Sequence, residues 1–307
     1  MSDESARRVL SIQSHVTSGY VGNRAAVFPL QLLGYDVDVL NSCVLSNHTG
    51  YEHGAPGIRL NAHQLLEILN GMKENHLLQA ISHLLTGYIG TASCLHAVAD
   101  AVHMLRHHST PNLVYVCDPV LGDNGKLYVP EPLVHIYVHN ILHLATILTP
   151  NAFELGLLTN STIASEQHAF SACDYLHQQH KIPIIVVTGT RFHPDCNKLS
   201  VLVSSRSKHN ASRFAIDVQY IDAHFTGTGD LMTALLLAWF DKFPHDPVQA
   251  VARATASVSA VLANTAKLPK SQGLAPFPEL RLIQSQSVIV DPPMNLVNIR
   301  LLSDPPQ

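Results

Sequence analysis

Apolar residues along this chain fall into two alternating rhythms. Short runs in which Val, Ile and Leu crowd together occupy residues 8–14, 36–42, 80–86, 113–118, 145–149 and 182–188, and runs of that length predict strands. Between them apolar positions recur at helical spacing, as in 61–72 behind an Asn and 165–180 behind a Ser, so helices with side-chain N-caps are predicted there. The alternation predicts β-α-β units, in which a parallel sheet is covered by helices on both faces. Further on, 198–204 and 213–221 read as consecutive strands and hence as an antiparallel edge, and helices follow from Gly227. Residues 292–307 mix Pro with apolar side chains and read either as a final edge strand or as a tail. No repeat, low-complexity linker or charge run divides the chain, so 1–307 reads as a single domain.

Composition narrows the function classes. With 46% apolar and 14% charged residues, a chain of 307 can bury a substantial core. Nineteen basic against 23 acidic side chains give a net charge of -4, so no overall positive field marks a partner such as nucleic acid or an anionic membrane. Phosphate recognition must then be local. Cys43, Cys94, Cys117, Cys173 and Cys196 are widely separated and include no C-x-x-C pair, which fits a reduced, cytoplasmic setting. The acids among the first six residues argue against a signal peptide, and the apolar stretch 231–240 is about half a membrane span, so a buried helix is expected there. The twenty histidines are scattered, and the pair His107-His108 has no third ligand in its vicinity, so it reads as solvated surface.

Chemistry concentrates in Phe225-Thr226-Gly227-Thr228-Gly229-Asp230, a glycine-rich turn running into the apolar helix. Backbone N–H groups exposed by Gly227, Thr228 and Gly229, with the partial positive charge of a helix N-terminus, predict an anion hole. Asp230 then has two readings: a base that takes the proton of an attacking alcohol, or an ordinary first-turn acid. The string is neither a Walker A motif nor a dinucleotide fingerprint, so a different nucleotide site is required.

Reading outward from that segment, the chain resembles the pyridoxal kinases from about residue 9 to about residue 262. Four blocks carry the resemblance. The first is Val9-Leu10-Ser11-Ile12-Gln13-Ser14-His15-Val16 with Gly19-Tyr20-Val21-Gly22-Asn23. The second is Ser46-Asn47-His48-Thr49-Gly50-Tyr51 with Leu85-Thr86-Gly87-Tyr88. The third is Cys117-Asp118-Pro119-Val120-Leu121-Gly122-Asp123 with Tyr128-Val129-Pro130 and Leu148-Thr149-Pro150-Asn151-Ala152-Phe153-Glu154. The fourth is Gly227-Thr228-Gly229-Asp230.

The resemblance implies an α/β fold: a ribokinase-like three-layer α/β/α sandwich with a mostly parallel central sheet and an antiparallel edge, usually a homodimer. It implies ATP-dependent phosphorylation of the 5′-hydroxymethyl group of pyridoxal, and of pyridoxine and pyridoxamine, with Asp230 as catalytic base. Ser14 would hydrogen-bond the pyridine nitrogen, His48 and Thr49 the ring substituents, and Val21 with Tyr88 would enclose the ring faces. Asp123 and Glu154 would serve Mg²⁺ or another divalent ion such as Zn²⁺, partly through water, while Asp118, Thr149 and Thr188 would hold K⁺ or Na⁺. Capping or turn acids are the other reading of Asp118, Asp123 and Glu154. Thr188 and Thr228 would approach the ATP phosphates, Ile221, Asp222, Ala223 and Phe225 the adenine, and Asp118, Tyr128, Asn151, Glu154 and Gly189 would also belong to the ATP site. Gly189 stands where many members of the eukaryotic type carry Ser, and residues 124–127 form a shorter lid than in those members. A hydroxymethylpyrimidine or sugar kinase of the same superfamily, or a vitamer-binding protein without catalysis, would share parts of this pattern. The slot of Val21 and Tyr88 suits a flat heterocycle better than a sugar.

Overall fold

The computed structural model describes residues 7–109, 112–192, 197–206, 211–267 and 278–302. The first six residues, Cys196 and the last five positions lie outside them. The first half holds β1 (Arg8–Val16), α1 (Asn23–Leu32), β2 (Asp36–Leu45), β3 (Gly57–Arg59), α2 (Ala62–Glu74), β4 (Ile81–Thr86), α3 (Ala92–His108) and β5 (Val114–Cys117). Then come β6 (Gly122–Asp123), β7 (Lys126–Leu127), α4 (Pro132–Ile136), β8 (Ile147–Leu148), α5 (Ala152–Thr159), α6 (Glu166–His180) and β9 (Ile184–Thr190). The rest is β10 (Lys198–Arg206), β11 (Ala211–Gln219), α7 (Thr228–Lys242), α8 (Pro247–Ala266), α9 (Gln286–Val290) and β12 (Val297–Leu302).

Ten strands form one sheet in the order β12-β11-β10-β9-β8-β5-β4-β1-β2-β3. From β9 across to β2 every pairing is parallel. The pairings β9-β10-β11-β12 at one edge and β2-β3 at the other are antiparallel. The C-terminal stretch therefore supplies an edge strand, with Val297 opposite Val218 and Leu302 opposite Arg213.

Side chains alternate across the sheet, as the two-residue strand period demands. Leu10, Ile12, Tyr115, Cys117, Ile185 and Val187 enter a core built with α2, α3, α5 and α6. Val9, Val116 and Val186 point the other way, into a core built with α1, α7 and α8. The result is a three-layer α/β/α sandwich. All ten residues from Leu231 to Phe240 are buried, because α7 is packed between α1 and α8 on the sheet, and this accounts for an apolar stretch with no polar face. Among the described residues no helix is long and apolar enough to cross a membrane.

The predicted N-caps are present: the Asn61 side chain accepts from Gln64 N at 3.0 Å, and Ser165 Oγ from His168 N at 3.2 Å. Such a cap is worth about 1 kcal/mol. After β1 the chain moves to β2 on one side and, after β3 and α2, returns to β4 on the other. That reversal opens a crevice at the C-terminal ends of the parallel strands, where ligands of open α/β sheets bind.

Candidate active site

Beyond β1 the crevice is built on a buried polar network. Ser11 Oγ donates to Asn23 Oδ1 at 2.7 Å, Gln13 Nε2 donates to Ser11 Oγ at 2.9 Å, and Asn23 Nδ2 donates to Asn41 Oδ1 at 2.9 Å. These bonds lock the start of α1 to β1 and β2. Pairing of β1 with β2 slips by one residue between Gln13 and Ser14, at the point where Ser14 reaches the crevice. Val21 and Tyr88 pack on the same small apolar cluster of Val16, Cys43 and Leu45, and Ser42 Oγ holds the Tyr88 carbonyl at 2.8 Å. The structure thus brings the two proposed ring-enclosing side chains together. Thr49 is exposed. His48 beside it is buried, with Gly50 N–H 3.1 Å from Nδ1 and Glu279 Oε1 3.2 Å from Nε2, so both ring nitrogens already have protein partners.

Gly22 joins this slot to Asp230. Its backbone, at φ 53° and ψ -134°, passes so close to Ser14 that a Cβ would lie 2.0 Å from Ser14 O and 2.5 Å from Ser14 Oγ. Its N–H acts on the Asp230 carboxylate and favours the ionised form. Ser14 and Asp230 therefore flank one glycine. Burial pushes the Asp230 carboxyl up to about 6, against the opposing pull of the Gly22 N–H. The backbone group that acts on it belongs to a distant segment and not to the first turn of α7, which weakens the reading of Asp230 as a helix cap. At the turn itself, Gly227 has φ 84°, and a Cβ there would lie 2.0 Å from Tyr20 O.

Two further acids lie behind it. Asp118 is buried, and its carboxyl is raised well above the usual range by burial, then by repulsion from Glu154 and Asp230, with Thr233 opposing. Thr233 Oγ1 donates to Asp118 Oδ2 at 3.3 Å and lies 3.1 Å from Thr149 Oγ1. Sequence reasoning missed Thr233, although it stands three residues beyond Asp230 and so on the same side of α7. Glu154 is raised by burial, while N–H groups of Asn151, Leu121 and Gly122 pull it back. It forms a capping box with Asn151: Glu154 N donates to Asn151 Oδ1 at 2.8 Å, and Asn151 N donates to Glu154 Oε2 at 2.9 Å. The capping reading of Glu154 thus describes a real contact, but its burial and the nearby acids exceed what a cap needs. Mutually repelling buried carboxyls suit a cation. Among the described residues no three His, Cys, Asp or Glu side chains are close enough to hold a metal by themselves.

The expected lid is a tight hairpin rather than a loop. Gly122–Asp123 pairs with Lys126–Leu127, and Asn124 and Gly125 make the turn at φ 50° and 78°, the left-handed pair that a two-residue hairpin requires. Its base is pinned by Asn151 Nδ2 donating to Gly122 O at 2.8 Å and Leu121 N donating to Glu154 Oε1 at 2.9 Å. Tyr128, just beyond it, is exposed.

Beside the Gly227 turn lies a cavity of about 610 Å³. Of the residues expected around ATP, it brings together Asn151, Thr188, Gly189, Ile221, Ala223, Phe225 and Thr228, and also Asp123 and Gly229. Asp222, Asp118, Glu154 and Tyr128 do not line it. Lining residues not anticipated include Arg191, Met232, Thr255, Val258 and Leu262. The Arg191 guanidinium stacks 3.9 Å from the Tyr220 ring centroid and brings positive charge to the cavity. Thr255 Oγ1 is buried without a partner among the described residues, so the cavity wall offers a hydroxyl to a ligand.

Comparison with known proteins decides the family. An Arabidopsis thaliana pyridoxal kinase is 46% identical over 295 residues, covering 94% of this chain and 93% of that protein. The chain belongs to the pyridoxal kinase family. The Homo sapiens pyridoxal kinase is 42% identical over 301 residues, covering 93% and 96% of the two chains. A Leishmania donovani pyridoxal kinase solved with ADP and pyridoxamine superposes with a TM-score of 0.89 at 33% identity, covering 97% of this chain and 100% of that one. The family model described as phosphomethylpyrimidine kinase matches residues 68–276. That span contains Asp230 and the nucleotide cavity but omits Ser14, Val21, His48 and Thr49, so it bears on phosphoryl transfer more than on the choice of ring. The near full-length pyridoxal kinase relatives cover those residues too.

Proposed function

We propose that this chain transfers the γ-phosphoryl group of ATP to the 5′-hydroxyl of pyridoxal, and of pyridoxine and pyridoxamine, through Asp230. The observation that carries the reading is Gly22: its backbone packs against Ser14 and its N–H acts on Asp230, whose chain neighbours Thr228 and Gly229 line the 610 Å³ cavity. In this reading the vitamer ring lies between Val21 and Tyr88 with its nitrogen at Ser14, and Thr49 meets a ring substituent. His48 orients Thr49 and does not contact the vitamer through a ring nitrogen. Asp230 accepts the alcohol proton, and the N–H groups of Gly227, Thr228 and Gly229 stabilise the transferring phosphoryl. ATP fills the 610 Å³ cavity with its phosphates toward Thr188, Gly189 and Arg191, under the hairpin of Asp123 and Asn124. Mg²⁺ held near Asp123 and Glu154, and K⁺ or Na⁺ near Asp118, Thr149 and Thr188, supply charge neutralisation when bound. The protein acts as one catalytic domain, in a homodimer, in the cytoplasm.

The deciding experiment incubates purified protein with ATP, Mg²⁺ and each vitamer in turn, beside hydroxymethylpyrimidine and ribose. Phosphorylated pyridoxal is expected; turnover of a control alone would overturn the reading. A pH profile tests the base. With its carboxyl at about 6, Asp230 is protonated and idle below that pH and competent above it. The kcat/KM for pyridoxal is therefore expected to rise about tenfold per pH unit below about 6 and to level off above. A profile flat down to about pH 5 contradicts the assignment.

A further inference from the structure

Glu279 is half-buried and more than two hundred residues from its partners along the chain, yet it is the meeting point of both loops that form the ring slot. From the loop after β1, Tyr20 N–H donates to Glu279 Oε2 at 3.0 Å. Gly19 next to it is packed so closely that a Cβ would lie 2.6 Å from Oε1. From the loop after β2, Tyr51 OH donates to Oε1 at 3.0 Å, and His48 Nε2 lies 3.2 Å from the same oxygen. Gly50 N–H donates to His48 Nδ1, which turns the ring's other nitrogen, Nε2, toward the carboxylate. His48 and Tyr51 rings pack against each other at 4.7 Å. Val21 follows Tyr20 directly, Thr49 follows His48 directly and Tyr51 stands two residues beyond Thr49, so every contact to Glu279 is within two residues of a side chain assigned to the vitamer.

We infer that Glu279 is a positioning residue for the vitamer, a clasp that sets the spacing between the Val21 wall and the Thr49 side of the slot. The inference rests on the functional reading above. Burial alone would raise the Glu279 carboxyl, but bonds from His48, Tyr20 and Tyr51 hold it below the ordinary value, so the clasp is a carboxylate at neutral pH. A charged acceptor sharing three donors makes stronger bonds than a neutral one.

The test measures steady-state kinetics of wild type, Glu279→Ala and Glu279→Gln. Loss of the clasp in Glu279→Ala is expected to raise KM for pyridoxal by about tenfold or more, the range for losing a hydrogen bond to a charged group. The KM for ATP and kcat should stay within about threefold, because Tyr20, His48 and Tyr51, Glu279's partners among the described residues, do not line the 610 Å³ cavity. Glu279→Gln keeps one acceptor oxygen and is expected to fall between the two; it also decides the matter if the alanine variant does not fold. Unchanged KM for pyridoxal in Glu279→Gln, or equal losses in both KM values and kcat, overturns the positioning role. Wild-type protein that phosphorylates no vitamer sinks the functional reading instead, so the two failures are distinguishable.

Discussion

Asp230→Asn is expected to lower kcat for pyridoxal phosphorylation by about 10²–10⁴-fold, the usual contribution of a general base. The amide is nearly the same size and still offers an oxygen to the Gly22 N–H, so ring slot and cavity keep their shape, and KM for ATP should change by no more than about twofold. Stability supplies an independent check with a definite sign. An acid whose folded value is raised binds its proton more tightly in the folded protein, so its ionisation opposes folding at neutral pH. Asp230 adds to the repulsion felt by Asp118, which strengthens the effect. The asparagine protein should therefore melt at or above the wild-type temperature at pH 7. The gain should shrink as pH falls through about 6 and vanish below the unfolded carboxyl range near 4. Calorimetric melting and single-turnover rates measure both. Wild-type kcat in this variant would remove Asp230 from the chemistry, and a lower melting temperature at pH 7 would identify it as a structural acid.

Much of this arrangement is legible in the chain itself, for physical reasons that also mark where legibility ends. Strands buried on both faces need continuous apolar runs, so β1, β4 and β9 stand out, and the switch to consecutive strands announces β10 and β11. The three residues of β3 and the hairpin of β6 and β7 are too short for any periodicity to register, and the apolar run at 145–149 contracts to the two paired residues of β8. Site residues fixed to strand ends, such as Ser14, Asp118 and Thr149, are visible because turn chemistry interrupts a strand. Residues that reach the site from a helix interior are not. Thr255, Val258 and Leu262 share one stripe of α8, and a stripe facing a nucleotide has the same spacing as one facing a core. Glu279 has no local pattern; its importance comes from contacts 259 and 228 residues away. The capping readings of Asp230 and Glu154 separate only in three dimensions: Glu154 does cap its helix, whereas the backbone group acting on Asp230 is that of the distant Gly22.

Gly22→Ala is the second change expected to have a large effect, because one methyl group meets three constraints. At φ 53° and ψ -134° an L-residue is strained, at a cost of about 1–3 kcal/mol. The added Cβ would stand 2.0 Å from Ser14 O, a backbone atom held in the β1-β2 pairing, so relief requires moving either β1 or the start of α1. The buried bonds of Ser11, Gln13, Asn23 and Asn41 oppose movement of either. Whatever shift occurs displaces the Gly22 N–H from Asp230 and Ser14 Oγ from the ring slot together. Misplacement of reacting groups by about 1 Å costs about 10²-fold, so kcat/KM for pyridoxal should fall by at least that factor, with a melting temperature lower by roughly 2–8 °C. Gly34→Ala is the matched control: Gly34 also has a positive φ, 94°, but a Cβ there meets nothing within 4 Å, and it lies between α1 and β2 away from the crevice. It should lose some stability to the backbone strain while its kcat/KM stays within about twofold of wild type. Equal kcat/KM in the two variants would mean that Gly22 serves the fold alone and that Ser14 and Asp230 do not depend on it for their alignment.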